Sequence, residues 1–261
     1  MTRPQNVEEY KCWLRDKRHV DVTEKTCNYY DTVTRTVKTA FEKSPFWTDL
    51  GLNLKEYDAQ YLIRDGYRLL ASTSLPELGT KPFDSFLQKT YRKNVLENFN
   101  WPSQPEGGWI LPDNWFPRIN DIVRTCLVVK YLDGVRFILD AMHALCDQHG
   151  ITSEESLEAR EEGYYAAHLY VRQDFEVPKI DWDTKRINVA IEIQITTQLQ
   201  EVIRKLLHKY YEKRRIGVAE HNSKWQWDYS SDEFAANYLG HILHYVEGMI
   251  MDVRRRQKEV L

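Results

Sequence analysis

The stretch from Gly163 to Thr197 constrains this chain more than any other part of it. It reads G-Y-Y-A-A-H-L-Y-V-R, passes through a charged turn containing Pro178, and continues R-I-N-V-A-I-E-I-Q-I-T-T. Both runs alternate with a period of two, which is the pattern of strands. In the second run Ile187, Val189, Ile191, Ile193 and Ile195 share one face, and Asn188, Ala190, Glu192, Gln194 and Thr196 share the other. In the first, Tyr165, Ala167, Leu169 and Val171 oppose Tyr164, Ala166, His168 and Tyr170. Successive side chains of a strand point to opposite sides of the sheet. Two neighbouring strands of this kind therefore bury an aliphatic face and present Tyr164, His168, Glu192 and Gln194 together on the other. A carboxylate inside an isoleucine-rich strand is costly unless it is paired or faces a site. The pattern admits two readings: an antiparallel sheet with one wet face, or a sheet whose polar face is a functional site.

The two runs resemble the synthetase domain of the RelA/SpoT family, the alarmone synthetases, in which G-Y-x-S-x-H is followed by E-x-Q-I-R-T. That family transfers pyrophosphate from ATP to a ribose 3′-hydroxyl with magnesium. Further matches extend from Lys81 to Arg215. The run K-P-F-D-S-F-L-Q-K-T-Y-R-K predicts a helix within 78–97, capped by Asp84 or Ser85, that presents Lys89, Arg92 and Lys93 at helical spacing. The resemblance implies that Lys81, Ser85, Lys89, Arg92 and Lys93 grip the ATP phosphates. Cations suit a donor whose transition state spreads charge over phosphoryl oxygens; otherwise such a run is a solvated basic face. The run I-N-D-I-V-R-T-C-L-V-V-K-Y predicts a strand over 125–131 with Asp121 just ahead of it. The family has D-x-x-G-x-R here, so Asp121 matches its magnesium-binding aspartate. Arg124 stands at the glycine position and Cys126 at the arginine position. Arg124 shares a strand face with Cys126 and is the candidate replacement for the missing cation. Thr196 stands where the family has a second arginine. His208 and Tyr211 match an H-x-x-Y in the following helix.

The resemblance thus implies an α+β fold, a mixed sheet flanked by helices in a nucleotidyltransferase-like arrangement. It implies that Asp121 and Glu192 hold Mg2+, or that Glu192 also takes the proton of the attacking hydroxyl. It implies that Tyr164 stacks on the acceptor base while His168, Gln194 and His208 orient the acceptor or its phosphates. The expected substrates are ATP and a guanosine nucleotide. Divergent small toxic members instead modify the 3′ end of tRNA or make adenosine alarmones, and an antitoxin protein is then an expected partner. No H-D hydrolase signature is present, which predicts synthesis without degradation. A reading of another class is an inactive relative that senses nucleotides or binds a partner.

Around this core, helices are expected over 7–18 and 22–43, the second capped by Thr23, lined by Tyr29, Val33, Val37, Ala40 and Phe41, and stopped at Ser44-Pro45. Residues 60–70 suit a strand or a short helix. Residues 101–117, rich in proline and glycine and carrying three tryptophans, read as a loop that covers a site or forms an interface. A helix is expected over 133–149. After Thr197, Leu199, Val202, Ile203 and Leu206 begin a helical stripe, and Arg204, Lys205, Lys209 and Lys213 run into Arg214 and Arg215 as a patch for a polyanion such as tRNA. A last helix over 231–258 has Ala235, Leu239, Ile242, Val246, Ile250 and Val253 as its expected buried stripe. The expected organisation is a helical region over 1–75, the synthetase core over 76–217 and a helical extension over 218–261.

Composition narrows the alternatives. At a net charge of −3 the whole molecule does not bind polyanions by bulk charge. Four widely spaced cysteines form no zinc motif and read as reduced thiols. No run reaches the ~20 apolar residues of a membrane span, and the first residues carry no apolar signal region, so a soluble cytoplasmic protein is expected.

Overall fold

Local signals set the first helices. In the computed structural model, which describes residues 2–179, 183–206 and 225–260, Asn6 caps helix α1 (Val7–Arg18) by accepting the Glu9 amide. Thr23 and Thr26 form a reciprocal capping box at the start of α2 (Glu24–Glu42). Its buried line is Tyr30, Val33, Thr34, Val37 and Phe41, so Tyr30 and not Tyr29 faces the core, and Ala40 is exposed. Pro45 does more than end α2. It opens α3 (Pro45–Asp65), where its missing N–H is no loss. Helix α4 (Phe83–Tyr91) has Pro82 at its N-cap rather than Asp84 or Ser85, and it runs into a π-helical turn, Arg92–Leu96. Then come α5 (Trp115–Arg118) and α6 (Leu132–Gln148). Helix α7 is described over 198–206, and α8 is Asp232–Val260.

The fold is α+β with a mixed five-stranded sheet. Its strands are β1 (Gly79–Thr80), β2 (Val123–Val129), β3 (Thr152–Ala159), β4 (Tyr165–Pro178) and β5 (Thr184–Thr197), in the order β1-β2-β5-β4-β3. β1 is antiparallel to β2, with Thr80 opposite Val123. The short link between β4 and β5 permits only an antiparallel pair. The isoleucine face of β5 is buried, but from Ala190 to Ile193 so is the other face. A sheet with one wet face therefore does not describe this stretch. β3, T-S-E-E-S-L-E-A, is a strand that no apolar alternation announced; it lies at the sheet edge, where charged side chains discourage pairing with other chains.

The chain divides into two compact units. The first comprises Met1–Trp47, Glu77–Thr125 and Tyr170–Glu192. Its core is aromatic: Tyr30 packs on Phe86 with ring centroids 4.5 Å apart, and Trp115 packs on Phe86 at 5.1 Å. The tryptophans of the 101–117 segment serve this core. Trp115 is 2% exposed, and Trp101 and Trp109 lie against Trp13. The segment's tryptophans turn inward, Trp115 fully and Trp101 and Trp109 in part, while Pro102, Ser103, Gln104, Glu106 and Gly107 between them are exposed.

The second unit comprises Thr48–Pro76, Cys126–Leu169 and Ile193–Leu261. Here Tyr61 donates to Asp133 (2.6 Å), Arg254 donates to the same carboxylate (3.1 Å), and the Arg254 guanidinium lies over the rings of Tyr67 and Tyr131 at 4.3 and 4.2 Å. Helix α8 does not bury the expected stripe. Leu239, Ile242 and Val253 are exposed, whereas Ala236, Asn237, Gly240, Glu247 and Arg254 are buried. The reason is steric. A Cβ on Gly240 would run into the Gly163 carbonyl oxygen, and one on Gly163, at φ +76°, would run into the Asn237 carbonyl oxygen. The helix backbone docks directly on the turn before β4, and only small residues fit there. Among the described residues no helix is long and apolar enough to cross a membrane.

This docking buries the Glu247 carboxyl. Burial raises its pKa, and Thr197 and Gln200 oppose the shift without completing a hydrogen bond to either oxygen. The folded carboxyl thus keeps its proton to higher pH than in the unfolded chain. Above the ordinary glutamate value the native state binds more protons, and stability falls as pH rises. We expect Glu247→Gln to be more stable than the parent at pH 8 by about 1–3 kcal/mol, the scale for a poorly satisfied buried polar group. The gap should close in the acid range. Thermal unfolding at several pH values checks this.

Candidate active site

The site residues fall into one group in each unit. In the first unit β1 positions Lys81. The Lys81 amide donates to the Ile122 carbonyl (2.9 Å), continuing the β1–β2 ladder and bringing Lys81 beside Asp121. Lys81 Nζ lies 2.9 Å from Asp121 Oδ2, and Lys89, from the last turn of α4, reaches Oδ1 at 2.8 Å. The Tyr30 hydroxyl, from α2, donates to the Lys81 carbonyl at 2.9 Å. Lys81 and Asp121 are each 7% exposed. Burial alone would raise the Asp121 pKa, but the ammonium groups of Lys89 and Lys81 outweigh it and hold the carboxyl well below the usual range. Lys81 is pushed down from its ordinary value, because burial, with help from the charges of Lys89 and Arg124, exceeds the pull of Asp121. The two partners of one ion pair thus move in the same direction, each for its own reason.

Glu192 is 5% exposed, on β5, the strand next to β2. Arg124, on β2, is half-buried and acts on Lys81 through its charge. Arg92 does not join Asp121; it pairs with Glu97 at 2.7 Å, with both side chains half exposed. Ser85 is exposed and Lys93 partly buried. Hard oxygen donors suit magnesium, which is commonly bound through one or two carboxylates together with substrate phosphates. Asp121 and Glu192 are buried carboxylates of the kind such an ion takes, and both oxygens of Asp121 are occupied by lysine ammonium groups. Among the described residues no group of three or more His, Cys, Asp and Glu side chains forms a metal cage.

In the second unit the Tyr164 hydroxyl and His168 Nε2 are 3.2 Å apart, with their rings edge to face. His168 is 5% exposed, and Gln194 is partly buried on β5. Arg160 was not anticipated. Its amide donates to the Tyr164 carbonyl (3.0 Å) across the turn, and its guanidinium lies over the Tyr164 ring at 5.4 Å. The sequence signal was slight: an arginine four residues ahead of the tyrosine, with Gly163 at positive φ making the turn tight. In α7, Arg204 and Lys205 share the carboxylate of Glu201, at 2.7 and 3.2 Å. The expected apolar stripe of this helix is only partly inward, since Val202 and Leu206 are exposed while Gln200 and Glu201 are buried. His208, Lys209, Lys213, Arg214 and Arg215 lie outside the described residues.

The fold defines a class. The chain is similar to a GTP pyrophosphokinase family protein from Streptococcus pneumoniae, with a TM-score of 0.54 at 16% identity over 92% of this chain and 97% of that one. It is also similar to small alarmone synthetase 1 from Bacillus subtilis, in a structure bound to its product pppGpp, with a TM-score of 0.52 at 15% identity over 81% of this chain and 92% of that one. No family model matches the chain, and no curated protein matches its sequence. The chain has the alarmone synthetase fold.

Removing one member of a buried pair leaves the other uncompensated. We expect Asp121→Asn to destabilise the protein by about 3–5 kcal/mol. Adding Lys81→Met should recover much of the loss, and urea unfolding of both variants checks it.

Proposed function

We propose that this chain is a nucleotide 3′-pyrophosphokinase that transfers the β,γ-pyrophosphate of ATP to the ribose 3′-hydroxyl of GDP or GTP. The observation that carries the reading is the buried Asp121 with Lys81 and Lys89 against it, a carboxylate and two cations assembled on the fold of enzymes named for this chemistry. On binding ATP, Lys81 and Lys89 exchange the carboxylate for phosphate oxygens, and Ser85, Arg92, Lys93 and Arg124 extend the grip. Magnesium, held by Asp121 and Glu192, would neutralise charge on the phosphoryl oxygens. Glu192 takes the proton of the 3′-hydroxyl as its oxygen bonds to the β-phosphorus; the bond from that phosphorus to the α,β-bridging oxygen breaks, and AMP leaves. Tyr164 offers its ring to the acceptor base and holds His168 through its hydroxyl. Gln194 and His208 orient the acceptor. Arg124 supplies the cation that Cys126 lacks.

The same transfer to the 3′ end of tRNA or to an adenosine nucleotide is the competing choice of acceptor. The shared pairing of Arg204 and Lys205 with Glu201 weighs against a long polyanion track in the described part of α7. Incubation with γ-labelled ATP and GDP, GTP, adenosine nucleotides or bulk tRNA, followed by product separation, decides. Label in GDP or GTP supports the proposal, label in tRNA alone moves the acceptor, and no label in any acceptor leaves an inactive nucleotide-binding relative.

Glu192→Gln should retain the fold and lose transfer by about 10²-fold or more, the scale of removing a key electrostatic group. Near-normal turnover by the folded variant would refute the assignment. Tyr164→Ala should weaken acceptor use by about 1–3 kcal/mol, the value of a base stacked on an aromatic ring. ATP affinity should be little changed, and steady-state kinetics in each substrate separates the two effects.

A further inference from the structure

The transfer described above leaves one cation of the first unit without a role. Arg172 lies on β4, on the strand face opposite the buried Val171, Phe175 and Val177. It is itself partly buried. Its Nη2 donates to Asn120 Oδ1 at 3.1 Å, across 52 residues of chain. Asn120 directly precedes Asp121. A guanidinium is therefore tied to the residue beside the carboxylate that Lys81 and Lys89 clasp.

The β4–β5 hairpin brings the same arginine toward Glu192. The Lys179 amide donates to the Asp183 carbonyl at 2.6 Å, and the Asn188 amide group donates to the Asp174 carboxylate at 2.8 Å. Both contacts fit one antiparallel register, in which Tyr170 stands across from Glu192 and Arg172 across from Ala190. A slip of one residue along either strand would turn its side chains to the other face. None occurs, since Val171, Phe175 and Val177 of β4 and Ile187, Val189 and Ile191 of β5 all stay buried. Arg172 is thus a diagonal neighbour of Glu192, at a backbone separation of roughly 7–8 Å that a long side chain spans.

We propose, on the pyrophosphokinase reading given above, that Arg172 donates hydrogen bonds to the β-phosphoryl oxygens of ATP during transfer. Asp121 marks the donor end of the reacting line, and Glu192 the end at which the 3′-hydroxyl gives up its proton. The phosphorus that changes partners lies between them, and Arg172 is tied beside the first and diagonal to the second. As the 3′-oxygen bonds to that phosphorus and the α,β-bridging oxygen leaves with AMP, charge spreads over the phosphoryl oxygens. A guanidinium suits them better than an ammonium. Its planar fork gives two parallel hydrogen bonds to one phosphoryl group, and it keeps its charge at any working pH. Asn120, a neutral amide, orients the fork and adds no charge of its own.

Two readouts on the full chain test this: labelled transfer from ATP, and calorimetric titration with inorganic pyrophosphate. Thermal unfolding controls for folding. Arg172→Gln should unfold at the parental temperature and lose kcat by ~10²-fold with little change in the acceptor KM. It should also bind pyrophosphate ~tenfold more weakly. Arg172→Lys should recover little, because an ammonium lacks the fork, whereas free guanidinium added to Arg172→Ala should restore part of the rate. Where the parent is active, kcat decides. A folded Arg172→Gln, or a folded Arg172→Lys if the first does not fold, that turns over like the parent overturns the role of Arg172 and leaves the pyrophosphokinase reading standing. A parent that labels no acceptor overturns that reading, and the titration then decides on Arg172 by itself. Equal pyrophosphate binding by parent and variant, or binding by neither, overturns its role.

Discussion

A carboxylate held between two ammonium groups, out of water, is the constraint around which the first unit is arranged. Desolvating three charges is costly, and their mutual attraction offsets the cost only when the geometry is tight. The chain secures that geometry from several elements at once. The β1–β2 ladder fixes the Lys81 backbone, α2 fixes its carbonyl through Tyr30, and α4 delivers Lys89 to the second carboxylate oxygen. No single element makes the site. Both lysines are held in place by the carboxylate and by the elements that carry them. They also hold the aspartate ionised across the whole physiological pH range.

The second unit rests on a different economy, close approach of backbones. Gly163 and Gly240 let α8 lie directly against the turn that starts β4. That turn also carries Tyr164 and the arginine stacked on it, so the docking of a distant helix orders a candidate acceptor residue. The same contact turns the polar and small line of α8 inward. Glu247 is buried as a consequence, while Arg254 finds Asp133 and a pair of aromatic rings.

What was legible is where these residues lie on their strands, because that signal is local. Alternation along β4 and β5 placed Glu192 with Gln194, and His168 with Tyr164, on shared faces, and a strand's pleat makes that assignment nearly automatic. The Thr23 cap at the start of α2 was likewise short-range. The pairing of Lys81 with Asp121 was not, since it spans 40 residues and depends on the antiparallel register of a two-residue strand. Arg160 escaped notice because a stacked cation has no periodicity, and Arg92 was drawn to Glu97, a partner outside the expected phosphate grip.

By itself, then, the sequence located β2, β4 and β5 and the order of the motifs, because hydrophobic period acts over a few residues; β1 and β3 carry no such signal. Tertiary structure alone decided which side of α8 is buried. Apolar spacing nominated Leu239, Ile242 and Val253, but the face that turned inward is the one whose backbone can approach closest. Gly240 against Gly163 and Arg254 against Asp133 settled that choice. It likewise decided that an acidic segment becomes the edge strand β3, because an edge needs only one hydrogen-bonded neighbour and tolerates charge on what remains exposed.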